Sequence, residues 1–526
     1  ILLVPESLNW SRQAQEVERS VLDVVFGDRD APGELREVLS FLLRYRHARF
    51  HVGEPVNLKA VLERERGAPD AVVAKKVRWS ILNHLAREEA IRVGPPQRSL
   101  SCTRQMVLKD PSVQRLLSAP ESATERAAQA AQAERILAKM AADMRLGWIR
   151  FLDFVVERAW SRIYDGIIVD RPGLSRVWEA SRRGPVVLVP SHKSHVDYLV
   201  LSQVFFKDGL IPPFIAAGDN LSFWPLGPLF RRSGAFFIRR SCKGDKLYSA
   251  ICAAYIKRLL KEGHSLEFFI EGGRSRTGKL LPPKTGILSM CADPVLDGAL
   301  EDVAFVPVSI SYEKIIEAAS YAKELEGGQK RKEDVGALLS TRKVLRARTR
   351  YGRVYIDFAP PLTLRAFLAA RGVTLPPRSA LPREEDGLDR RALVTELGHR
   401  IFYGISEATR VTPTGMAALV LLSSPKSRTE EGELFQRAAE LTNFAARNGA
   451  RLSRSLGAAT QREALRESLG RLAQDGLVRM LPTADDRTLY ALHDAGRRAL
   501  DYYKNNVLHL FVPYALVMTA HAALAS

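Results

Sequence analysis

One pattern constrains this chain more than any other: from Pro185 onward, short continuous apolar runs alternate with helical stretches. Val186-Val187-Leu188-Val189 sits between Pro185 and Pro190 and reads as a strand buried on both faces. Runs at Pro213–Ala217, Ala235–Arg239, Leu266–Ile270, Val303–Ser309 and Arg353–Phe358 read as further strands. The clearest helix between them is Lys246–Glu262. There Ile251, Tyr255 and Leu259 share one stripe and Gly263 marks the stop. Strands alternating with helices predict an α/β fold, a largely parallel sheet flanked by helices.

A chain of 526 residues exceeds one ordinary domain. Three parts are expected: a helical N-terminal region over 1–165, the α/β region over 166–375 and a helical C-terminal region over 376–526. The first rests on apolar residues at three- and four-residue steps in Leu35–Tyr45, Val72–Arg87 and Glu121–Ile163. Its Ala/Gln-rich stretch Ala127–Ala133 is a strong helix former with little apolar bulk, hence an exposed or scaffold helix. The second boundary is the punctuated stretch with Gly372, Pro376, Pro377 and Pro382. Beyond it, Gln461–Gly476 followed by Leu477–Met480 and Leu489–Leu492 suggests a small winged-helix-like unit. No run offers the roughly 20 apolar residues of a spanning helix. The nearest, Val507–Ala525, contains His509, Pro513 and His521 and reads as a buried terminal helix. A membrane-apposed or partner-covered helix is the alternative. The chain opens on Ile1, not Met, so a fragment is expected.

The charge balance is 78 basic against 59 acidic residues, net +19, which calls for an anionic partner. Four cysteines at 102, 242, 252 and 291 show neither CxxC nor metal spacing, which fits a reducing compartment.

Four segments carry chemistry. Ser191-His192-Lys193-Ser194-His195-Val196-Asp197 follows a predicted buried strand. His192 and Asp197 are five apart, about 140° on a regular helix, so they would not share a face. If they meet, His192 lies in the loop before the helix and folds back over its first turn, with Ser194 placed to cap that helix. A carboxylate beside an imidazole fixes its tautomer and orients a general base. The competing reading is a polar turn with solvated histidines. A metal reading of His192, His195 and Asp197 lacks a second ligand cluster, so no metal is expected. The second segment, Gly234–Arg240, ends an apolar strand in two arginines at the rim where open α/β sheets bind ligands. The third, Phe268–Lys279, delivers Glu271 at a strand end, then two glycines and three cations within six residues, a plausible anion cradle. The fourth, Val306–Glu313, holds Pro307 within an apolar strand, which normally marks an edge or bulged strand.

HKSHVD, GAFFIRR, FFIEGGRSRTGK and VPVSISYE, in this order over residues 192–313, resemble the glycerol-3-phosphate acyltransferase branch of the HX4D acyltransferases. The blocks are closest to the long bacterial membrane-associated type. The resemblance implies that His192 removes the proton from the sn-1 hydroxyl and that Asp197 orients it. It implies that Arg240, Glu271, Gly272, Arg274, Lys193, Arg276 and Lys279 hold glycerol phosphate, and that Phe237, Ile238 and Pro307 shape the substrate site. The implied donor is acyl-acyl carrier protein or acyl-coenzyme A, with no cofactor. The implied place is the cytoplasmic side of the inner membrane, peripheral or monotopic, with a homo-oligomer left open.

The charge agrees: residues 191–290 hold fifteen basic and seven acidic residues. Arg342, Lys343, Arg346, Arg348 and Arg350 would suit an anionic bilayer. Two rival readings stand beside this one. One is a sibling acyltransferase acting on dihydroxyacetone phosphate or lysophosphatidate. The other is a nucleic-acid-binding protein, suggested by the charge and the winged-helix-like stretch. Glu463, Glu467, Asp475, Asp485 and Asp486 in that stretch oppose it, so no nucleic acid partner is expected.

Overall fold

A computed structural model describes residues 2–4, 6–9, 49–52, 55–64, 67, 69–95, 98–239, 244–325, 350–373, 389–424, 428–457, 459–483, 487–492 and 494–525. The central strands are β1 (Gly166–Val169), β2 (Val186–Pro190), β3 (Phe214–Gly218), β4 (Ala235–Ile238), β5 (Leu266–Glu267), β6 (Ala304–Tyr312), β7 (Arg353–Phe358) and β8 (Leu362–Thr363). The main helices are α1 (Asp197–Lys207), α2 (Lys246–Lys261), α3 (Ala318–Leu325), α4 (Arg390–Ala408), α5 (Pro413–Ser423), α6 (Glu431–Arg447), α7 (Gln461–Gln474), α8 (Asp494–Leu508) and α9 (Val512–Ala525). The fold class is α/β, with mostly parallel strand pairing and flanking helices. By packing, the chain divides into residues 1–153, 178–185 and 202–266, and residues 154–177, 186–201 and 267–526.

In the first unit, β3 and β4 pair in parallel, Ile215 opposite Ala235. The predicted stripe of α2 is buried, and its Tyr255 ring meets Phe236 at 5.4 Å. The Ala/Gln-rich stretch falls in the helix Ala123–Met140. Its first half is exposed, and its last turns bury Ile136, Leu137 and Met140. Short strand pairs also occur here, Glu6–Asn9 with Arg49–Val52 and Leu2–Leu3 with Val56–Asn57. Leu35–Tyr45 lies outside the described residues.

In the second unit the strand order is β1-β7-β6-β2. β6 runs parallel to β2 and antiparallel to β7, and β7 runs parallel to β1. β6 is therefore an interior strand, contrary to the edge position that Pro307 suggests. The reason is local. The Pro307 carbonyl accepts from Ala359 N–H, so its missing donor faces the same side. On that side the neighbour changes from β7, which starts pairing at Val308, to β8, which pairs Ala304 and Phe305. No ladder donor is needed at 307.

The C-terminal helices pack on one face of this sheet. Ser309 Oγ meets Thr409 Oγ1 at 3.0 Å, and Ser311 Oγ accepts from Arg410 N–H. Fully buried Asp357 is gripped by the Arg410 guanidinium, whose Nε lies 2.9 Å from Oδ2. Arg451 Nη1 adds a 2.7 Å bond to Asp170. The winged-helix-like expectation extends further than the sequence indicated. β9 (Arg428–Glu430), β10 (Val478–Pro482) and β11 (Thr488–Leu492) form an antiparallel sheet in the order β9-β11-β10; along the chain β9 lies between α5 and α6, and β10 and β11 follow α7. Residues of α7 and its C-cap are used internally: Arg471 bonds Glu313 at 3.0 Å, and Asp475 bonds Lys314 at 2.7 Å.

The terminal helix departs from expectation. α9 is exposed, with Leu516, Val517 and Met518 at 65–69% and Leu524 at 90%. It turns 91° away from α8, so its apolar residues are not carried into the core. Among the described residues no single helix is long and apolar enough to cross a membrane.

Candidate active site

β2 is buried along its whole length and paired in parallel with β6, so its carboxyl end is a fixed exit point. Ser191 fastens that exit: its N–H donates to Val308 O at 2.9 Å and its Oγ accepts from Ile310 N–H at 3.1 Å. His192 follows in the loop, and Asp197 opens α1. The imidazole folds back so that Nδ1 lies 3.0 Å from Asp197 Oδ2. That oxygen also accepts from the N–H of Lys193 at 2.7 Å and of Ser194 at 2.9 Å. Asp197 Oδ1 accepts from the Tyr312 hydroxyl at 2.6 Å. A fully buried carboxylate thus has three donors besides the histidine, which is what makes its charge tolerable there. Phe269 stacks on the imidazole at 4.0 Å and 28°. An aspartate at Nδ1 holds the proton on that nitrogen and leaves the Nε2 lone pair available to accept one. The imidazole keeps 17% exposure, enough to be reached.

Ser194 caps the turn that leads into α1: its Oγ accepts from Val196 N–H at 3.4 Å, and Asp197 N–H donates to its carbonyl. Its hydroxyl donates to Glu317, 2.9 Å from Oε1, which also accepts from His195 N–H at 2.9 Å. Burial raises the Glu317 carboxyl above its ordinary range, and these two donors oppose the rise. Lys193 is buried, and desolvation pushes its ammonium down to about 8 against the pull of Glu271 and Asp197. Glu267 is fully buried at the end of β5. Among the described residues neither of its oxygens has a partner, and burial, then the charge of Asp197, holds it well above the usual carboxyl range.

Glu271 braces two loops. Oε1 accepts from His192 N–H at 2.8 Å and Oε2 from Leu281 N–H at 2.9 Å. Burial raises its pKa, and the two amides oppose the rise. Arg274 reaches the histidine loop through Tyr321: Nη1 donates to the tyrosine hydroxyl at 2.8 Å, and that hydroxyl donates to Lys193 O at 3.1 Å. Arg276 is paired with Glu324 at 2.6 Å. Lys279 is exposed, with its carbonyl held by Ser275 Oγ at 2.5 Å. Gly278 has φ +79°, and α8 lies so close that a Cβ there would fall 2.0 Å from Tyr502 O. Asn505 Nδ2 donates to Thr277 O at 2.8 Å on the same contact.

The structure therefore joins His192, Asp197, Lys193, Glu271 and Arg274 in one hydrogen-bonded group, with Gly272 beside it. Pro307 is buried in the sheet, with its ring against Gly404 of α4. Phe237 and Ile238 lie on β4 of the other unit, where the Phe237 ring sits 5.1 Å from the Arg231 guanidinium. Arg240 lies outside the described residues, as do Arg342, Lys343, Arg346 and Arg348. Arg350 is described and pairs with Asp165 at 3.2 Å.

Sequence reasoning passed over Tyr312, Glu317, Tyr321 and Phe269. A signal existed for Tyr312: Val308, Ile310 and Tyr312 share one face of β6, while Ser309 and Ser311 share the other. Nothing local marks Glu317 or Tyr321.

A base with a fixed tautomer beside several cations suits proton removal from an alcohol that carries an anionic group. Comparison with known proteins agrees. Family models match in succession along the chain: the glycerol-3-phosphate acyltransferase PlsB N-terminal domain over 1–94, an acyltransferase domain over 175–311 and the glycerol-3-phosphate acyltransferase C-terminal region over 321–525. The chain belongs to the glycerol-3-phosphate acyltransferase family. It is 33% identical over 533 aligned residues to a protein of Shewanella amazonensis named glycerol-3-phosphate acyltransferase, covering 99% of this chain and 63% of that one. The similarly named protein of Alteromonas mediterranea is 32% identical over 98% of this chain and 62% of its own length. That of Shewanella pealeana is 35% identical over 82% of this chain and 53% of its own. The chain thus spans less than two thirds of the length of these curated relatives.

Proposed function

We propose that this chain transfers an acyl group from acyl-acyl carrier protein or acyl-coenzyme A to the sn-1 hydroxyl of sn-glycerol 3-phosphate. The product is 1-acyl-sn-glycerol 3-phosphate, and the reaction is the first step of phospholipid synthesis. The observation that carries this reading is the His192–Asp197 pair, braced through Glu271 to the loop that bears the cations. Membership of the family supports it.

In this mechanism His192 Nε2 takes the hydroxyl proton as the oxygen attacks the thioester carbonyl. Asp197 holds the ring and balances the imidazolium. The tetrahedral intermediate collapses, the C–S bond breaks, and the thiolate takes the proton back from His192. General base help is worth roughly 10²–10⁴-fold; positioning and stabilisation of the oxyanion supply the rest. A thioester is already activated, so no acyl-enzyme forms. Mass spectrometry after exposure to labelled donor alone checks this, and a competent covalent acyl adduct would refute it.

The roles of Lys193, Arg240, Gly272, Arg274 and Lys279 in holding the substrate belong to the same proposal, as do those of Phe237, Ile238 and Pro307, whereas Arg276, paired with Glu324, is assigned to holding the loop. So does the division into 1–165, 166–375 and 376–526. The family-model spans support its first two parts, while the third span begins earlier, at 321. We place the protein on the cytoplasmic face of the inner membrane, with α9 against lipid. At 14 residues, or about 21 Å, α9 is shorter than the roughly 30 Å hydrocarbon core and is mostly apolar along its exposed length, with Thr519 and His521 its polar members beyond Tyr514. The reading against nucleic acid is supported by Arg471 and Asp475, which engage Glu313 and Lys314.

The deciding experiment pairs each donor with glycerol 3-phosphate, dihydroxyacetone phosphate or lysophosphatidate in anionic vesicles. Acylation of glycerol 3-phosphate that disappears in His192→Ala is expected. Acylation of another acceptor alone would replace this reading with the sibling enzyme. Tight, salt-dependent DNA binding without acyl transfer would replace it altogether.

A further inference from the structure

Lys284 lies five residues beyond Lys279, outside the basic block that the charge pattern marks. Its N–H donates to Ile270 O at 2.7 Å, which fastens it beside the strand end that delivers Glu271. Its side chain runs across Gly272. A Cβ at Gly272 would fall 2.5 Å from Lys284 Cδ and 3.0 Å from its Nζ. Glycine at 272 thus meets two demands, a backbone at φ +60° and room for a lysine.

The strap that carries Lys284 is tied to the histidine loop. Glu271 accepts from His192 N–H with one oxygen and from Leu281 N–H with the other. Among the neighbouring cations, Arg276, Arg274 and Lys193 are otherwise committed, while Lys279 is exposed. Arg276 pairs with Glu324, the Arg274 Nη1 donates to Tyr321, and Lys193 is buried. Lys284 is exposed and, among the described residues, pairs with no carboxylate. An exposed ammonium over the backbone of Gly272, next to the Glu271 that binds the histidine loop, is placed to meet a phosphate oxygen.

We propose that Lys284 grips the phosphate of the acceptor, and that Gly272 is glycine because any side chain would displace that ammonium. This rests on the acyl-transfer reading. The phosphate could also belong to the pantetheine-bearing donor; we assign it to the acceptor because Lys284 is tied, through Glu271, to the loop of the base that deprotonates the acceptor.

Steady-state kinetics tests the assignment, with thermal unfolding as the check on folding. Lys284→Met should raise KM for glycerol 3-phosphate roughly 10- to 100-fold and leave donor KM alone, and Lys284→Arg should recover most of the loss. Gly272→Ala should also raise the acceptor KM, and the double variant should be no worse than Lys284→Met. Unchanged acceptor KM, a rise in donor KM instead, or additive losses would overturn the proposal. Calorimetry with glycerol 3-phosphate separates the two readings. Binding that depends on Lys284 without wild-type turnover would keep this residue's role and discard acyl transfer. Turnover with Lys284-independent binding would do the reverse.

Discussion

The two loops that meet at this site are built on opposite plans. The His192–Asp197 loop is short, and its bonds converge: two of its own backbone N–H groups, its own imidazole and one tyrosine hydroxyl all end on one carboxylate. The loop from Glu271 to Lys284 is long and diverges. Its groups are held by Glu324, Tyr321, Asn505 and the backbone of α8, all remote in sequence. The difference teaches a division of labour. A proton-transfer group needs one fixed geometry, which a short loop can supply by itself. A phosphate grip needs several cations from different directions, which only tertiary packing can assemble.

The largest expected break in this comparison is His192→Ala, which should cut kcat by roughly 10²–10⁴-fold with the fold intact; initial rates and circular dichroism check it together. Asp197→Asn should follow at roughly 10²-fold or more, because the imidazole loses both its orienting acceptor and the charge that balances its protonated form. Retained turnover in either variant would remove the dyad. Tyr312→Phe should lower kcat by up to roughly 10- to 100-fold, the worth of one hydrogen bond to a buried charge, with the acceptor KM unmoved. A KM effect instead would place Tyr312 in the phosphate grip.

The next effect is on pH. Lys193 has its ammonium lowered to about 8, so its charge is present below that pH and lost as pH rises through it. The acceptor KM should climb above pH 8, and Lys193→Met should flatten the climb. A parallel climb in the variant would assign it to another group. The smallest effect is expected from Arg276→Ala. Its guanidinium is part of a partly buried pair with Glu324, so the acceptor KM should change by no more than about twofold and stability by about 1 kcal/mol or less. A large KM change in an assay with saturating donor would show that Arg276 leaves Glu324 for the substrate.

Much of the scaffold was legible in the chain. Arg353–Phe358 forms the strand that the apolar run predicts, and β2 lies where the proline-bounded run places it. The expected strand Leu266–Ile270 pairs as a ladder only over Leu266–Glu267, after which Phe268 N–H takes Leu188 O alone and the backbone turns toward the site. Pro307 misled because local rules assume a ladder on both sides, whereas here the partner strand changes at that residue. The exposed α9 misled because apolar composition alone does not say what covers a helix.

By itself the sequence determined the strand ends and the order of the chemical blocks, because hydrophobic periodicity and turn residues act over a few neighbours. It also determined that His192 had to precede its helix in order to reach Asp197. Only the tertiary structure decided which donors and cations meet at those ends. Glu271 reaches His192 across 79 residues, Tyr312 reaches Asp197 across 115, and Asn505 reaches Thr277 across 228. Hydrogen bonds demand placement within a few tenths of an ångström, and at those separations only the packing of whole strands and helices sets it.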